Sequence, residues 1–303
     1  MHKPIGSGVI GVFDSGVGGL TVWREIVRQL PHEDTLYLAD QAHVPYGPRP
    51  LAQVREFAEG IARFLLDQGA RVIVVACNTA SAAALHDLRR TFPDVPFVGM
   101  EPAVKPAAER THNGIVGVIA TQATFQGRLF ASLVERYADH VRVLTQACPG
   151  LVEAVEAGRL DTPDTEALLR QYLAPLLEAG VDQLVLGCTH YPFLRPTIER
   201  LVGAGVAVID PAPAVARQVG RVLAHGKPPL KRGVRAEGEG ESPLKRGVRT
   251  TGRYVFYTSG DVGKFEQVLG RLVPFAEANP HVYAARWQDG QLISHPCEGC
   301  ERP

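Results

Sequence analysis

The sequence predicts an α/β protein built as two pseudo-symmetric domains, each a mostly parallel sheet flanked by helices, with the active site in the cleft between them. Three observations carry this expectation. Short apolar, β-rich runs alternate with amphipathic helical patterns; the alternation restarts near the middle of the chain; and each series contains one apolar strand that ends in a cysteine. Ligands of open parallel sheets sit beyond the carboxyl ends of the strands, so two such ends facing each other frame a cleft.

The first series runs "GVIGVF" then "LTVWREIVRQL", "DTLYLAD" then "LAQVREFAEGIARFLLDQG", "RVIVVAC" then "ASAAALHDLRRTF", and closes on "PFVGM". This is βα repetition, hence a mostly parallel sheet, with the intervening segments patterned as helices. The second series runs "GIVGVIAT" then "FQGRLFASLVERYAD", "VRVLTQAC" then "GLVEAVEAG" and "TPDTEALLRQYLAPLLEAG", "VDQLVLGC" then "FLRPTIERLVGAG", and ends on "VAVID". After "PAPAVARQVGRVLAHG" the heptapeptide PLKRGVR occurs twice, at Pro229 and Pro243, within a Gly-rich basic stretch read as a flexible insert of about 227–252. "RYVFYTSGD" alternates like a strand and "VGKFEQVLGRLV" like a helix, which returns the chain to the first domain. The expected boundaries are 1–99 with 209–303 for the first domain and 100–208 for the second, with "HPCEGCERP" as a mobile tail.

At 303 residues and 45% hydrophobic, the chain can bury a substantial core. Its 32 basic residues balance 32 acidic ones, so nothing general attracts nucleic acid or an acidic membrane, and a small molecule becomes the default partner. No apolar run approaches the ~20 residues of a membrane span, and the N-terminal "MHKPIGSGVIGVF" lacks a leader's apolar stretch, so a cytoplasmic protein is expected. Five cysteines without dense spacing suit reduced thiols rather than a disulfide framework.

"GVFDSGVGGLTV" sets Asp14 and Ser15 at a strand end, ahead of Gly16, Gly18 and Gly19 and a helix. Backbone amides there can face an anion, or the glycines can simply serve a tight turn. The dinucleotide fingerprint would need glycine at Thr21, and no Gly-Lys-Ser/Thr follows, so a nucleotide site is disfavoured. Cys77 ends a strand before a helix that Asn78 or Thr79 can cap, and the positive end of that helix would lower the thiol's pKa.

Cys188, Thr189 and His190 repeat the plan, with His190 close enough either to assist proton transfer at Cys188 or only to order the loop. Two thiols at matching points of facing domains suit an acid and a base on opposite faces of one carbon, which is what racemisation requires. Asn78, Thr79 and Thr189 supply donors for a carboxylate held between them. A zinc site joining Cys188 and His190 to Cys297 and Cys300 is a weak alternative, because a single CxxC is a weak signal and the intervening sequence does not fix proximity; no metal or cofactor is expected.

Taken together, "GVFDSGVGGLTV", "VPYG", "VVACNTASA", "GVIATQAT", "LVLGCTHYPF" and "SGD" resemble the glutamate racemase family over about residues 9 to 270. The resemblance implies a cofactor-independent racemase that supplies D-glutamate for peptidoglycan synthesis and works as a homodimer. It implies that Cys77 takes the α-proton of D-glutamate and Cys188 that of L-glutamate. Asp14 would assist Cys77, and His190 with Glu156 would assist Cys188, both carboxylates also suiting the substrate ammonium. Ser15, Asn78, Thr79 and Thr189 would hold the α-carboxylate or amine. Pro45, Tyr46 and Gly47, with Thr121 and Thr124, would hold the side-chain carboxylate. This chain departs from the family pattern at Gln41 and His43, where Ser or Thr and Arg are usual, and at Ala120, Gly127, Phe130 and Glu153. An aspartate-specific sister racemase, a non-catalytic amino-acid binder and a thiol-redox or zinc protein built on Cys297 and Cys300 are the competing expectations.

Overall fold

The computed structural model describes residues 8–137, 140–225, 252–273 and 281–294. The first βα series forms β1 (Val9–Asp14), α1 (Leu20–Gln29), β2 (Thr35–Ala39), α2 (Leu51–Asp67), β3 (Ala70–Val75), α3 (Asn78–Thr91) and β4 (Phe97–Gly99). The second forms α4 (Val104–Arg110), β5 (Ile115–Ala120), α5 (Gln122–Gln126), α6 (Arg128–Tyr137), β6 (Arg142–Ala147), α7 (Leu151–Glu156), α8 (Pro163–Glu178) and β7 (Gln183–Gly187). A 3-10 turn (Tyr191–Leu194) then leads into α9 (Arg195–Val202), β8 (Ala207–Ile209) and α10 (Ala212–His225). The chain finishes with β9 (Tyr254–Thr258), α11 (Val262–Leu272), β10 (His281–Gln288) and β11 (Gln291–Ser294).

Two sheets result, a seven-stranded one in the order β11-β10-β9-β2-β1-β3-β4 and a four-stranded one in the order β6-β5-β7-β8. All pairings are parallel except β10 with β11. The wiring β2-β1-β3-β4 is repeated as β6-β5-β7-β8, so the restart seen in the sequence is a repeat of topology. In this repeat Cys77, just past β3, corresponds to Cys188, just past β7. Asp14 at the end of β1 corresponds to the end of β5, where Thr121 follows, and Asp40 past β2 to Cys148 past β6.

Burial explains why these runs are strands. Every residue of β1, β2 and β7 is buried, so both faces of the central strands are covered by helices and no polar alternation survives. Helix α1 turns Leu20, Val22, Trp23 and Ile26 inward and leaves Arg24 and Arg28 outward. The largest apolar cluster is continuous between the two sheets, running from Ile10, Val12 and Leu20 to Leu186 and Tyr191. The floor beneath the facing strand ends is therefore packed, not open.

The β10–β11 hairpin was not anticipated. Its turn puts Asp289 (φ 49°) and Gly290 (φ 75°) in the left-handed region, the arrangement that an Asp-Gly pair favours in a two-residue hairpin. Among the described residues no helix is long and apolar enough to cross a membrane. The PLKRGVR duplication and the tail with Cys297 and Cys300 lie outside the described residues.

Candidate active site

Parallel registry brings the chemistry to one edge of each sheet. Phe13 pairs with Val75 and Asp14 with Ala39, so Asp14, Asp40 and Cys77 follow adjacent strand ends. Ala120 pairs with both Ala147 and Gly187, so Thr121, Cys148 and Cys188 do the same across the cleft.

The glycine loop after β1 is where the two halves meet. A Cβ on Gly16 would collide with the Glu156 carboxylate, and one on Gly18 with the His190 ring and, at 2.7 Å, the Thr189 hydroxyl. Neither glycine lies at positive φ, so close approach rather than a special turn conformation demands them. The loop amides do face anions, and those anions belong to the protein. Gly19 N donates to Asp14 Oδ2 at 2.6 Å, and Val17 N to Glu156 Oε1 at 2.7 Å.

Cys77 itself, rather than Asn78 or Thr79, is the N-cap of α3, its Sγ accepting from Ala80 N at 3.5 Å. Its pKa also moves opposite to the sequence expectation. Burial, with the Asp14 carboxyl beside it, pushes the thiol well above its ordinary value, and the Ala80 amide offsets only part of this. Burial likewise raises Asp14, against the pull of the His190 cation, Cys77 and the Gly19 amide.

Cys188 has a different partner. Its Sγ lies 3.7 Å from His190 Nδ1, while His190 Nε2 meets Glu156 Oε1 at 2.7 Å. Burial opposes charging His190, yet its contacts with Cys188 and Glu156 prevail and raise its pKa well above the usual value. Burial would raise Glu156 too, but His190, Gln41 and Val17 together hold it below the ordinary carboxylate range. Glu156 and His190 thus form a largely buried, hydrogen-bonded pair whose other ring nitrogen faces the second thiol.

Both thiols line one narrow cavity. Ser15, the Pro45–Gly47 segment and Thr189 line it as well, together with Thr79, Thr121 and Asn78. Both side-chain amide atoms of Asn78 are buried without a hydrogen-bond partner, so its donor and acceptor are available to whatever enters. Thr79 from the first half meets Thr121 at 2.8 Å and Thr124 at 3.4 Å, a hydroxyl cluster bridging the cleft. Asp14, Glu156 and Thr124 stand behind the lining, hydrogen-bonded to the elements that carry it. A wider groove of about 650 Å³ runs beside β8, bordered by Arg110, Gln183 and Arg195, and contains neither thiol.

Several participants escaped the sequence reading. Asp40 is fully buried and accepts from Ser259 Oγ (2.7 Å), Trp287 Nε1 (2.7 Å) and Tyr46 Oη (2.6 Å), while His43 Nδ1 lies 2.9 Å away. The hydroxyl proton of Tyr46 is therefore committed to Asp40, and Tyr46 serves the cavity as a wall. An Asp closing an apolar strand was the available signal. Gln41, a departure from the family pattern, donates to Glu156 Oε2 at 3.0 Å. Cys148 is buried and donates to Gln146 O at 3.5 Å, a packing role. Among the described residues no group of three or more His, Cys, Asp or Glu could hold a metal ion.

The Asp/Glu/Hydantoin racemase family model matches residues 10–219. A glutamate racemase of Pseudomonas aeruginosa is 58% identical over 218 residues, 72% of this chain and 82% of the relative. One from a Roseiflexus species is 50% identical over 263 residues, 87% of this chain and 91% of the relative. The crystal structure of a glutamate racemase isoform from Bacillus anthracis superposes with a TM-score of 0.77 at 33% identity, covering 94% of this chain and 98% of that one. Repeated sheet wiring that hangs one thiol on each of two equivalent strands, in a chain so close to known racemases, makes this protein a member of the Asp/Glu/hydantoin racemase family.

Proposed function

We propose that this protein interconverts L- and D-glutamate by a cofactor-independent two-base reaction, with Cys77 and Cys188 as the opposed acid and base. The observation that carries the reading is the pair of thiols on equivalent strand ends lining one cavity, each with its own buried proton partner. Substrate identity is supported by the relatives named above, all glutamate racemases.

In the direction from L-glutamate, Cys188 takes the α-proton and Cys77, as a neutral thiol, returns one on the opposite face. The reverse direction exchanges the roles. His190 stands where it can accept and return the proton of Cys188, and Glu156 holds the imidazole in place. Asp14 plays the corresponding part for Cys77, and its carboxyl also suits the substrate ammonium. Deprotonating a thiol as buried as Cys77 is costly, and a substrate cation brought beside it lowers that cost. Ser15, Asn78, Thr79 and Thr189 offer hydrogen-bonding groups for the α-carboxylate or amine, and Pro45–Gly47 with Thr121, backed by Thr124, for the side-chain carboxylate. The space between the thiols is too small for glutamate, so the halves must part to admit it and close again to exclude water.

The same reading assigns residues 1–99 with 209–303 to one domain and 100–208 to the other, and makes the protein a cytoplasmic homodimer that supplies D-glutamate to peptidoglycan synthesis. The domain bounds follow the repeated βα pattern, and the homodimer and the peptidoglycan role follow the family resemblance. The decisive test is circular dichroism of purified protein with L-glutamate, D-glutamate or D-aspartate in D₂O without added cofactor, followed by mass analysis. Decay of ellipticity to zero with one deuterium gained, for glutamate and not for aspartate, is the expected result. Binding without deuterium uptake would make the cleft a mere amino-acid receptor.

A further inference from the structure

Gln41 follows β2, and its side-chain amide joins elements of opposite halves. Its Nε2 donates to Glu156 Oε2 at 3.0 Å, and its Oε1 accepts from Thr258 Oγ1 at 2.9 Å. Thr258 is fully buried at the end of β9, where its Oγ1 also accepts from Gly260 N at 3.0 Å. A Cβ on Gly260 would stand 2.8 Å from Gln41 Cβ, so the glycine of the "SGD" stretch lets the two segments touch. The hydroxyl needs an acceptor and the carboxylate a donor, which fixes the sense of the amide between them.

The Glu156 carboxylate is consequently gripped at both oxygens. Oε1 takes Val17 N and His190 Nε2, each at 2.7 Å, and Oε2 takes Gln41. The terminal torsion of a glutamate is broad, so a grip through one oxygen leaves the carboxylate free to turn about it. Turning swings the lone pairs of Oε1 out of line with His190 Nε2, the ring whose other nitrogen meets Cys188.

We propose that Gln41, backed by Thr258, is a positioning residue for the Cys188 side of the reaction: it fixes the Glu156 carboxylate so that His190 presents Nδ1 to the thiol. The inference rests on the racemase reading above. Its effect is one-sided, because Asp14, the partner of Cys77, is held instead by Gly19 N and Thr189 Oγ1.

The test uses Gln41→Met, which keeps length and removes both hydrogen-bonding ends, and Thr258→Val and Thr258→Ser behind it. Enantiomers have equal free energy, so kcat/KM stays equal in the two directions for any variant, and sidedness must be read from isotope effects. With α-deuterated substrates, Gln41→Met is expected to lower kcat about tenfold, the worth of a hydrogen bond to a charged group. The isotope effect should rise with L-glutamate, whose proton Cys188 removes, and fall towards unity with D-glutamate. Thr258→Val should shift both in the same sense by less, and Thr258→Ser should restore wild-type values. Isotope effects that move together, or a higher KM with kcat unchanged, would overturn the inference while leaving the racemase reading intact. A wild-type protein that exchanges no α-proton would overturn both.

Discussion

A methyl group added to Gly18 would fall on the imidazole of His190. The two residues come from different βα series, so the contact measures how closely the halves approach, and the imidazole so confined is the one facing Cys188. Gly18→Ala is expected to displace His190 or hold the halves apart and to reduce racemisation about 100-fold, the scale of a 1 Å misplacement at a reacting centre. Far-ultraviolet circular dichroism should remain that of wild type. Turnover within threefold of wild type would mean that the ring moves aside at little cost.

Cys77→Ala and Cys188→Ala each remove the proton donor or acceptor on one face of the substrate. General acid–base groups are worth roughly 10² to 10⁴ in rate, so each variant should lose at least about 10² in kcat. Polarimetry at high enzyme concentration checks this. Near-normal turnover in either variant would leave the two-base reaction without its second base.

Asp14 and His190 serve opposite thiols, and their replacement should separate the two proton-transfer steps. In Asp14→Asn the Cys77 step becomes the slower, so the isotope effect grows with α-deuterated D-glutamate; in His190→Asn it grows with the L-enantiomer. Matching shifts in both variants would contradict the division of labour that the contacts of Cys77 and Cys188 suggest.

The raised His190 pKa links stability to pH. The folded state holds the imidazole proton more tightly than the unfolded chain, whose value is near 6.5. That contribution is full below pH 6.5 and is lost as pH rises through the folded value. Glu156 is depressed below 4.5, so its contribution is present above that value and is lost as pH falls through its folded one. The melting temperature of wild type should therefore exceed that of His190→Asn most between these limits, and the gap should narrow towards alkaline pH. A gap that widens there would show that His190 is buried neutral.

Asp40 gathers hydrogen bonds from Ser259 just past β9, from β10 and from the loop carrying Tyr46. Asp40→Ala leaves these buried donors without an acceptor and should cost about 3–5 kcal/mol, the scale of a broken buried network. Trp287→Phe removes one donor and should cost about 1–2 kcal/mol. Urea unfolding of each gives the comparison, and equal losses would show that Trp287 matters through packing rather than through its indole N–H.

Much of this architecture was legible because strand and helix periodicities are local properties. "GVIGVF" and "QLVLG" are apolar throughout because both faces of a central parallel strand are covered, and the thiols could be set at strand ends by counting alone. The Asp-Gly hairpin at Asp289 is equally local.

Other features had no local signature. Glu156 ends a short helix with nothing in its neighbourhood to mark it, yet it joins Val17, Gln41 and His190 from three separate segments. The helix start beside Cys77 suggested a lowered pKa, whereas burial beneath elements distant in sequence reverses the sign. The residue types and their order along the chain follow from one-dimensional pattern; desolvation, the grip on Glu156 and the fit of Gly18 against His190 depend on which surfaces meet, and that is a property of the packed molecule alone.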